Sequence, residues 1–199
     1  VIHGTLHPGK QLEAALFAEP SPMDVWEVNG VRFLEGCGIG FDGVVAHAAL
    51  NMWKGFSNGM RYVLAVARHL LTAQKFQARI IADNRMCYEG PLFMVSAGNG
   101  QFAGGGFKLW PAASLSDGLL DILLVTKADA RQRILYASLA RKGQHVALPG
   151  MHYLQVRELI VEADRELLMH ADGEPGSDRV FIFRHAGQVM VQGANFNLF

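Results

Sequence analysis

The chain has 199 residues, 50% of them hydrophobic, and its 18 basic and 18 acidic side chains cancel. That is enough to bury a sizeable core, as one large domain or one domain plus a remnant, and the charge balance leaves no field to draw the protein onto nucleic acid. The longest apolar runs, such as Gly118 to Val125, fall far short of the ~20 residues of a spanning helix and no amino-terminal signal pattern is present, so the chain reads as cytoplasmic.

The first segment, Gly9 to Glu19, places Leu12, Ala15 and Leu16 at helical spacing and stops at Pro20-Ser21-Pro22, which cannot continue a helix. From Met23 the pattern changes to short strands. Asp24 to Val28 and Val31 to Phe41 flank Asn29-Gly30, a strong hairpin signal. A helical stretch from Val44 to Leu71 is expected to break at Ser57-Asn58-Gly59, with Met60, Val63, Leu64, Ala67 and Leu71 on one stripe. A second strand pair, Gln77 to Ala82 and Met86 to Ala97, joins through Asp83-Asn84, and Leu119 to Thr126 is an apolar run suited to a buried strand. Another helix runs from Asp129, placed to be its N-cap, to Lys142, with Gly143 at the C-cap position. Later runs at Tyr153 to Ala163, Glu166 to His170, Arg179 to Arg184 and Gln188 to Gln192 complete roughly nine strands, the last two joined across His185-Ala186-Gly187. Helices gathered in two insertions, not alternating with strands, exclude a doubly wound sheet and predict a mainly β, α+β architecture: a β-sandwich with helical insertions.

Three stretches could carry chemistry. The glycine run Gly98 to Gly106 follows an apolar strand, but Leu109-Trp110-Pro111 offers no helix start, so it is either a bend for close backbone approach or a phosphate cradle. Asp117, on the turn Ser114-Leu115-Ser116-Asp117-Gly118-Leu119, either bonds local amides or joins turn carbonyls around a hard cation. Asp172 and Glu174 flank Gly173 at a strand end. Held close, two carboxylates form a base or a metal bracket; held apart in solvent, they do neither. The eight histidines form no metal or triad spacing and read as surface or hydrogen-bonded residues, and Cys37 and Cys87 as reduced core thiols.

Taken in order, Gly38-Ile39-Gly40-Phe41-Asp42-Gly43, Gly98-Asn99-Gly100-Gln101-Phe102 with Gly104-Gly105-Gly106, Asp117-Gly118-Leu119-Leu120-Asp121 and Asp172-Gly173-Glu174 resemble the diacylglycerol kinase and sphingosine kinase-like lipid kinases, especially bacterial members. The resemblance covers the chain from about Met23. It implies the carboxy-terminal domain of the NAD kinase/diacylglycerol kinase-like fold over residues 23–199, with residues 1–22 a remnant or crossover segment of an amino-terminal nucleotide-binding domain. It also implies a Mg²⁺ site from the carbonyls of Ser114 and Leu119 and the carboxylate of Asp117, and a catalytic pair with Glu174 as base and Asp172 supporting it.

Such a kinase uses ATP as phosphoryl donor. The Gly-Gly-Asp-Gly nucleotide motif of the family is absent from this sequence, so the chain by itself is expected to be inactive. Sphingosine kinases carry an acidic residue where Val44 and Val45 stand, which favours a neutral glycerolipid hydroxyl such as that of diacylglycerol or phosphatidylglycerol. The helical region with Trp53, Phe56 and Tyr62 is placed to shape an acyl-chain pocket or simply to pack as core. Transient contact with a membrane surface and homodimerisation through strand edges accompany this reading. The rival readings are a non-catalytic lipid- or protein-binding sandwich and a relative of NAD kinases.

Overall fold

A computed structural model describes residues 19–51, 55, 58–103, 106–126 and 129–192. The expected helix from Gly9 lies outside the described residues apart from Glu19, as do Trp53, Phe56, Gly104 and Gly105. Strands β1 (Ser21–Val28) and β2 (Val31–Phe33) close through Asn29 and Gly30, with φ of 50° and 83°, the positive pair that a tight hairpin requires. The run expected to continue to Phe41 divides instead. Leu34, Glu35 and Gly36 turn their amides onto the Asp172 carboxylate, and β3 (Gly36–Gly40) departs to a different place in the sheet.

Helix α1 (Phe41–Leu50) starts directly from Gly40, whose φ of 76° and tight contacts with the Phe76 ring and Phe93 carbonyl admit only glycine. Helix α2 (Asn58–His69) follows. Its inward residues are Tyr62, Ala65 and Val66, whereas Met60 and Leu71 are exposed. The helix is thus rotated from the expected stripe, because the Tyr62 hydroxyl donates to Asp42 Oδ1 at 2.7 Å.

Strands β4 (Phe76–Ala82) and β5 (Arg85–Leu92) form the second hairpin, with Asp83 and Asn84 at φ 46° and 63°. Next come β6 (Met94–Gly98), β7 (Leu120–Val125) and helix α3 (Ala130–Ala140). Asp129 and Gln132 make the reciprocal bonds of a capping box, as the N-cap expectation requires. The helix ends before Lys142, where Gly143 (φ 70°) donates its amide to Ala140 at 3.2 Å.

A short 3-10 turn, His145–Ala147, leads to β8 (Met151–Val156), β9 (Glu158–Ala171) and β10 (Glu174–Val191). The runs expected as four strands are therefore three. Tyr153 to Ala163 splits at Arg157, whose amide and that of Glu158 are taken by Asp83 Oδ1. His185-Ala186-Gly187 is not a turn but a bulge, where Val25 pairs with Gly187 and Trp26 with His185.

The sheet order is β2-β1-β10-β9-β3-β6-β7-β8, with β4 and β5 hanging from the first half of β9. The sheet curls until its halves face each other. Trp26 and Phe33 from one side and Leu120, Ile122 and Val156 from the other share one interior with Phe181 and Phe183, as in a sandwich. Among the described strands β5 pairs only with β4, so Cys87 is exposed while Cys37 is buried, which corrects the expectation that both are core thiols. A second apolar layer lies between the outer face of β6 and β7 and the helices.

Gly98 sits under the Trp110 ring, which leaves no room for a Cβ. The Trp110 indole also donates to the Ser96 carbonyl at 3.2 Å and is 2% exposed, so it cannot swing away. Gly98→Ala is expected to lower the unfolding free energy in urea by about 1–3 kcal/mol, while Gly100→Ala, whose nearest neighbour is a Leu115 methyl at 3.4 Å, changes it far less.

Candidate functional site

The β9–β10 connection is a two-residue turn, Asp172 (φ 49°) and Gly173 (φ 87°), closed by the pairing of Ala171 with Glu174. Asp172 is engaged before any ligand arrives. Its carboxylate accepts the amides of Leu34, Glu35 and Gly36 at 2.6, 2.9 and 2.9 Å, and its own amide donates to the Gly36 carbonyl at 2.8 Å. Glu174 stands exposed at the start of β10.

The second acidic turn is held from beneath. Asp117 is exposed and its Oδ1 accepts the Leu119 amide at 3.0 Å, a local Asx-type bond. Ser114 is exposed and Leu119 half-buried on either side of it. Asp24, fully buried, accepts the Gly118 amide at 2.8 Å and also bonds Gln188 at 2.8 Å and His185 at 3.0 Å. Burial alone would raise the Asp24 carboxyl, but Gln188, His185 and the Gly118 amide outweigh it and hold the group below the usual carboxylate range. Asp121, at the end of the same motif, is buried and accepts from Tyr153, and burial pushes its carboxyl up.

One carboxylate flanked by turn carbonyls suits a hard, oxygen-seeking cation that keeps several waters. It does not suit a thiolate- or imidazole-seeking metal, and among the described residues no cluster of three His, Cys, Asp or Glu side chains could hold one.

Register brings the two turns to one end of the sheet. Gly36 pairs with Gly98, and Gly98 pairs with Asp121, so Asp172 and Asp121 are about three strand spacings, or ~14 Å, apart. Asn99 fills the gap between. It donates to the carbonyls of Asp24 and Leu34, each at 2.9 Å, and accepts the Trp26 indole at 3.3 Å.

Behind the Asp172 turn lies a buried ion pair. Asp42 Oδ2 is 3.6 Å from His170 Nε2 and accepts the Ser96 hydroxyl at 2.9 Å. Asp42 reaches this position because Gly38 and Gly43 carry no Cβ. One at Gly38 would collide with the Asp42 carboxylate, and one at Gly43 with the Leu168 carbonyl. Burial would raise the Asp42 carboxyl, yet His170, Tyr62 and Ser96 hold it low. Burial would lower the His170 imidazole, yet Asp42 and then Asp172 raise it. His170 in turn faces the turn, with the Gly173 amide 3.4 Å from Nδ1.

Asp42 and Tyr62 also border an apolar pocket under the helices. Its enclosed volume is about 80 Å³. Phe93 forms part of its wall, stacked on Phe41 at 4.7 Å and covered by the Arg133 guanidinium at 4.2 Å.

Residues 37–186 match the family described as the YegS C-terminal NAD kinase beta sandwich-like domain. The chain belongs to this family. Relatives include a diacylglycerol kinase of Bacillus subtilis, 27% identical over 85% of this chain and 57% of the relative. A Pseudomonas aeruginosa protein named probable lipid kinase YegS-like is 32% identical over 89% of this chain and 58% of the relative. A crystal structure of a diacylglycerol kinase from Bacillus anthracis superposes with a TM-score of 0.55 at 20% identity, covering 88% of this chain and 53% of that one. The chain thus spans about half the length of the relatives it matches. None of the described helices is long and apolar enough to cross a membrane.

Within this YegS-type domain, sequence reasoning missed Asp24, Asn99 and His170 and assigned no role to Asp42. Their signal is a polar residue at a strand position otherwise buried, as in Met23-Asp24-Val25-Trp26. The Asp42–His170 pair has a definite pH signature. Asp42 contributes stability present above the unfolded carboxylate pKa of about 4 and lost as pH falls through its lowered folded value. His170 contributes stability present below the unfolded imidazole pKa of about 6.5 and lost as pH rises through its raised folded value. The pair is strongest between those limits. Urea midpoints across pH are expected to show the wild-type advantage over His170→Gln shrinking above pH ~6.5; an advantage constant through pH 9 would contradict it.

Proposed function

We propose that this chain is the lipid-binding and base-bearing half of an ATP- and Mg²⁺-dependent lipid kinase that phosphorylates a neutral glycerolipid hydroxyl. The observation that carries this reading is the shared address of the two acidic turns, at one end of β3, β6 and β7, with an apolar pocket running along the helical side of the same strands.

Glu174, on the exposed side of a turn that Asp172 holds from below, accepts the proton of the lipid hydroxyl. The hydroxyl oxygen then bonds to the terminal phosphorus of ATP as the bond from that phosphorus to ADP breaks. Asp117, with the carbonyls of Ser114 and Leu119, would hold Mg²⁺, which would supply neutralisation of charge on the phosphate oxygens. The pocket takes an acyl chain, and Leu50, Met60, Leu71, Ile134 and Leu135, exposed on or beside the helices, supply apolar surface for a lipid interface. The nucleotide site belongs to a part of the protein that the relatives possess beyond the matched half.

In the complete gene product, assayed with ATP, Mg²⁺ and diacylglycerol in mixed micelles, phosphate transfer to the lipid is expected. Glu174→Gln is expected to lower kcat by about 10²–10⁴ with unchanged circular dichroism, and Asp117→Ala to raise the Mg²⁺ concentration for half-maximal rate. A Glu174→Gln enzyme at parental kcat overturns the assignment of the base. Binding of diacylglycerol without phosphorylation overturns the kinase reading in favour of a lipid-binding module.

A further inference from the structure

The polar groups around the apolar pocket are, with one exception, visibly engaged with the protein. Asp42 is held by Tyr62 and Ser96, the Arg133 guanidinium donates to the Leu70 carbonyl at 2.9 Å, and the Tyr136 hydroxyl donates to the Pro149 carbonyl at 2.6 Å. The exception is His145. It lines the pocket, is 2% exposed, and neither ring nitrogen completes a hydrogen bond among the described residues. Burial lowers its imidazole pKa; the Leu109 backbone opposes that in part without completing a hydrogen bond to either nitrogen.

A buried imidazole with an unsatisfied ring nitrogen loses a hydrogen bond that it would make in water. Such a group is retained at little penalty only where something that enters the pocket satisfies it. Its position says which part of a ligand that is. His145 opens the 3-10 turn whose end leads into Met151, and Met151 pairs with Val125, which pairs with Met94. The acidic turn lies at the opposite end of β3 and β6, four residues or about 13 Å along the strand from the Met94, Val125 and Met151 row. An oxygen that meets His145 is therefore remote from the reacting hydroxyl and sits along the chain.

We infer that His145 selects a lipid whose apolar chain carries a hydroxyl at the depth of this imidazole, so that the pocket distinguishes an oxygenated chain from a plain one. A hydroxyl fits either tautomer: it accepts from the ring N–H or donates to the bare ring nitrogen. A carboxylate fits less well, since burial disfavours the charged imidazole that would pair with it. The inference rests on the reading of the pocket as the acyl-chain site.

The test uses the complete gene product and monoacylglycerols of one chain length, unsubstituted or with a single hydroxyl moved along the chain, competing with a polarity-sensitive dye. One hydroxyl position is expected to bind about three- to tenfold more tightly than the plain chain. His145→Phe should collapse that ratio to about one, and His145→Gln, which still offers a donor and an acceptor, should restore part of it. Equal affinity for all positions in the wild-type protein, or a preference that survives in His145→Phe, overturns the role of His145 while leaving the pocket as an acyl site. Failure of every chain, plain ones included, to displace the dye overturns the acyl-site reading and the inference with it.

Discussion

The carboxylate of Asp172 accepts three consecutive backbone amides, those of Leu34, Glu35 and Gly36, and much of the architecture around the candidate site follows from that cradle. Three amides aimed at one point cannot also lie in a regular ladder, so the strand that leaves the first hairpin must break there. The break frees β3 to insert between β9 and β6. The same bonds fasten the β9–β10 turn against the start of β3, which fixes the backbone from which Glu174 projects. A charge-assisted contact at this turn is thus less a catalytic group in waiting than the clamp that gives its neighbour a defined place.

Glycine does complementary work one strand-length away. Gly38 and Gly43 let the first turn of α1 settle onto β3 and β9 closely enough for the Asp42 carboxylate to lie against the sheet. A buried anion needs compensation, and His170, Ser96 and Tyr62 supply it from three different elements. Gly38 and Gly43 are therefore the imprint of the ion pair on the sequence. The outcome is a polar seam between the acidic turn and the apolar pocket, with Asp42 bordering the pocket and His170 backing the turn.

The parts that were legible in the sequence are those set by local chemistry. Asn29-Gly30 and Asp83-Asn84 dictate positive φ whatever surrounds them, and Asp129 with Gln132 writes its own cap, so these turns and the start of α3 stand where the residues place them. Strand runs were less legible wherever a distant side chain intervenes. Asp172 divides one run and Asp83 another, and the bulge opposite Val25 and Trp26 merges two more into one. The sandwich class could be read from the density of turns, and the two acidic motifs from their residue types. What could not be read is that Asp24 and Asn99 buttress both motifs, because polar residues in apolar strands look alike until the register shows what they face. The solitary His145 was invisible for the same reason.

The anchors of the site join residues very far apart in the chain. Asp24 bonds His185 and Gln188 across 161 and 164 positions, and the Asp172 cradle spans 136 to 138. Contacts of such high sequence separation form late, since loop closure must precede them. A nascent chain leaving the ribosome therefore has Asn99 and the Gly118 amide available to Asp24, but not His185 or Gln188, until almost the last strand has been made. The Asp172 turn, closed by the pairing of Ala171 with Glu174, cannot acquire its final geometry before then, which makes the arrival of β10 the step that finishes the candidate site.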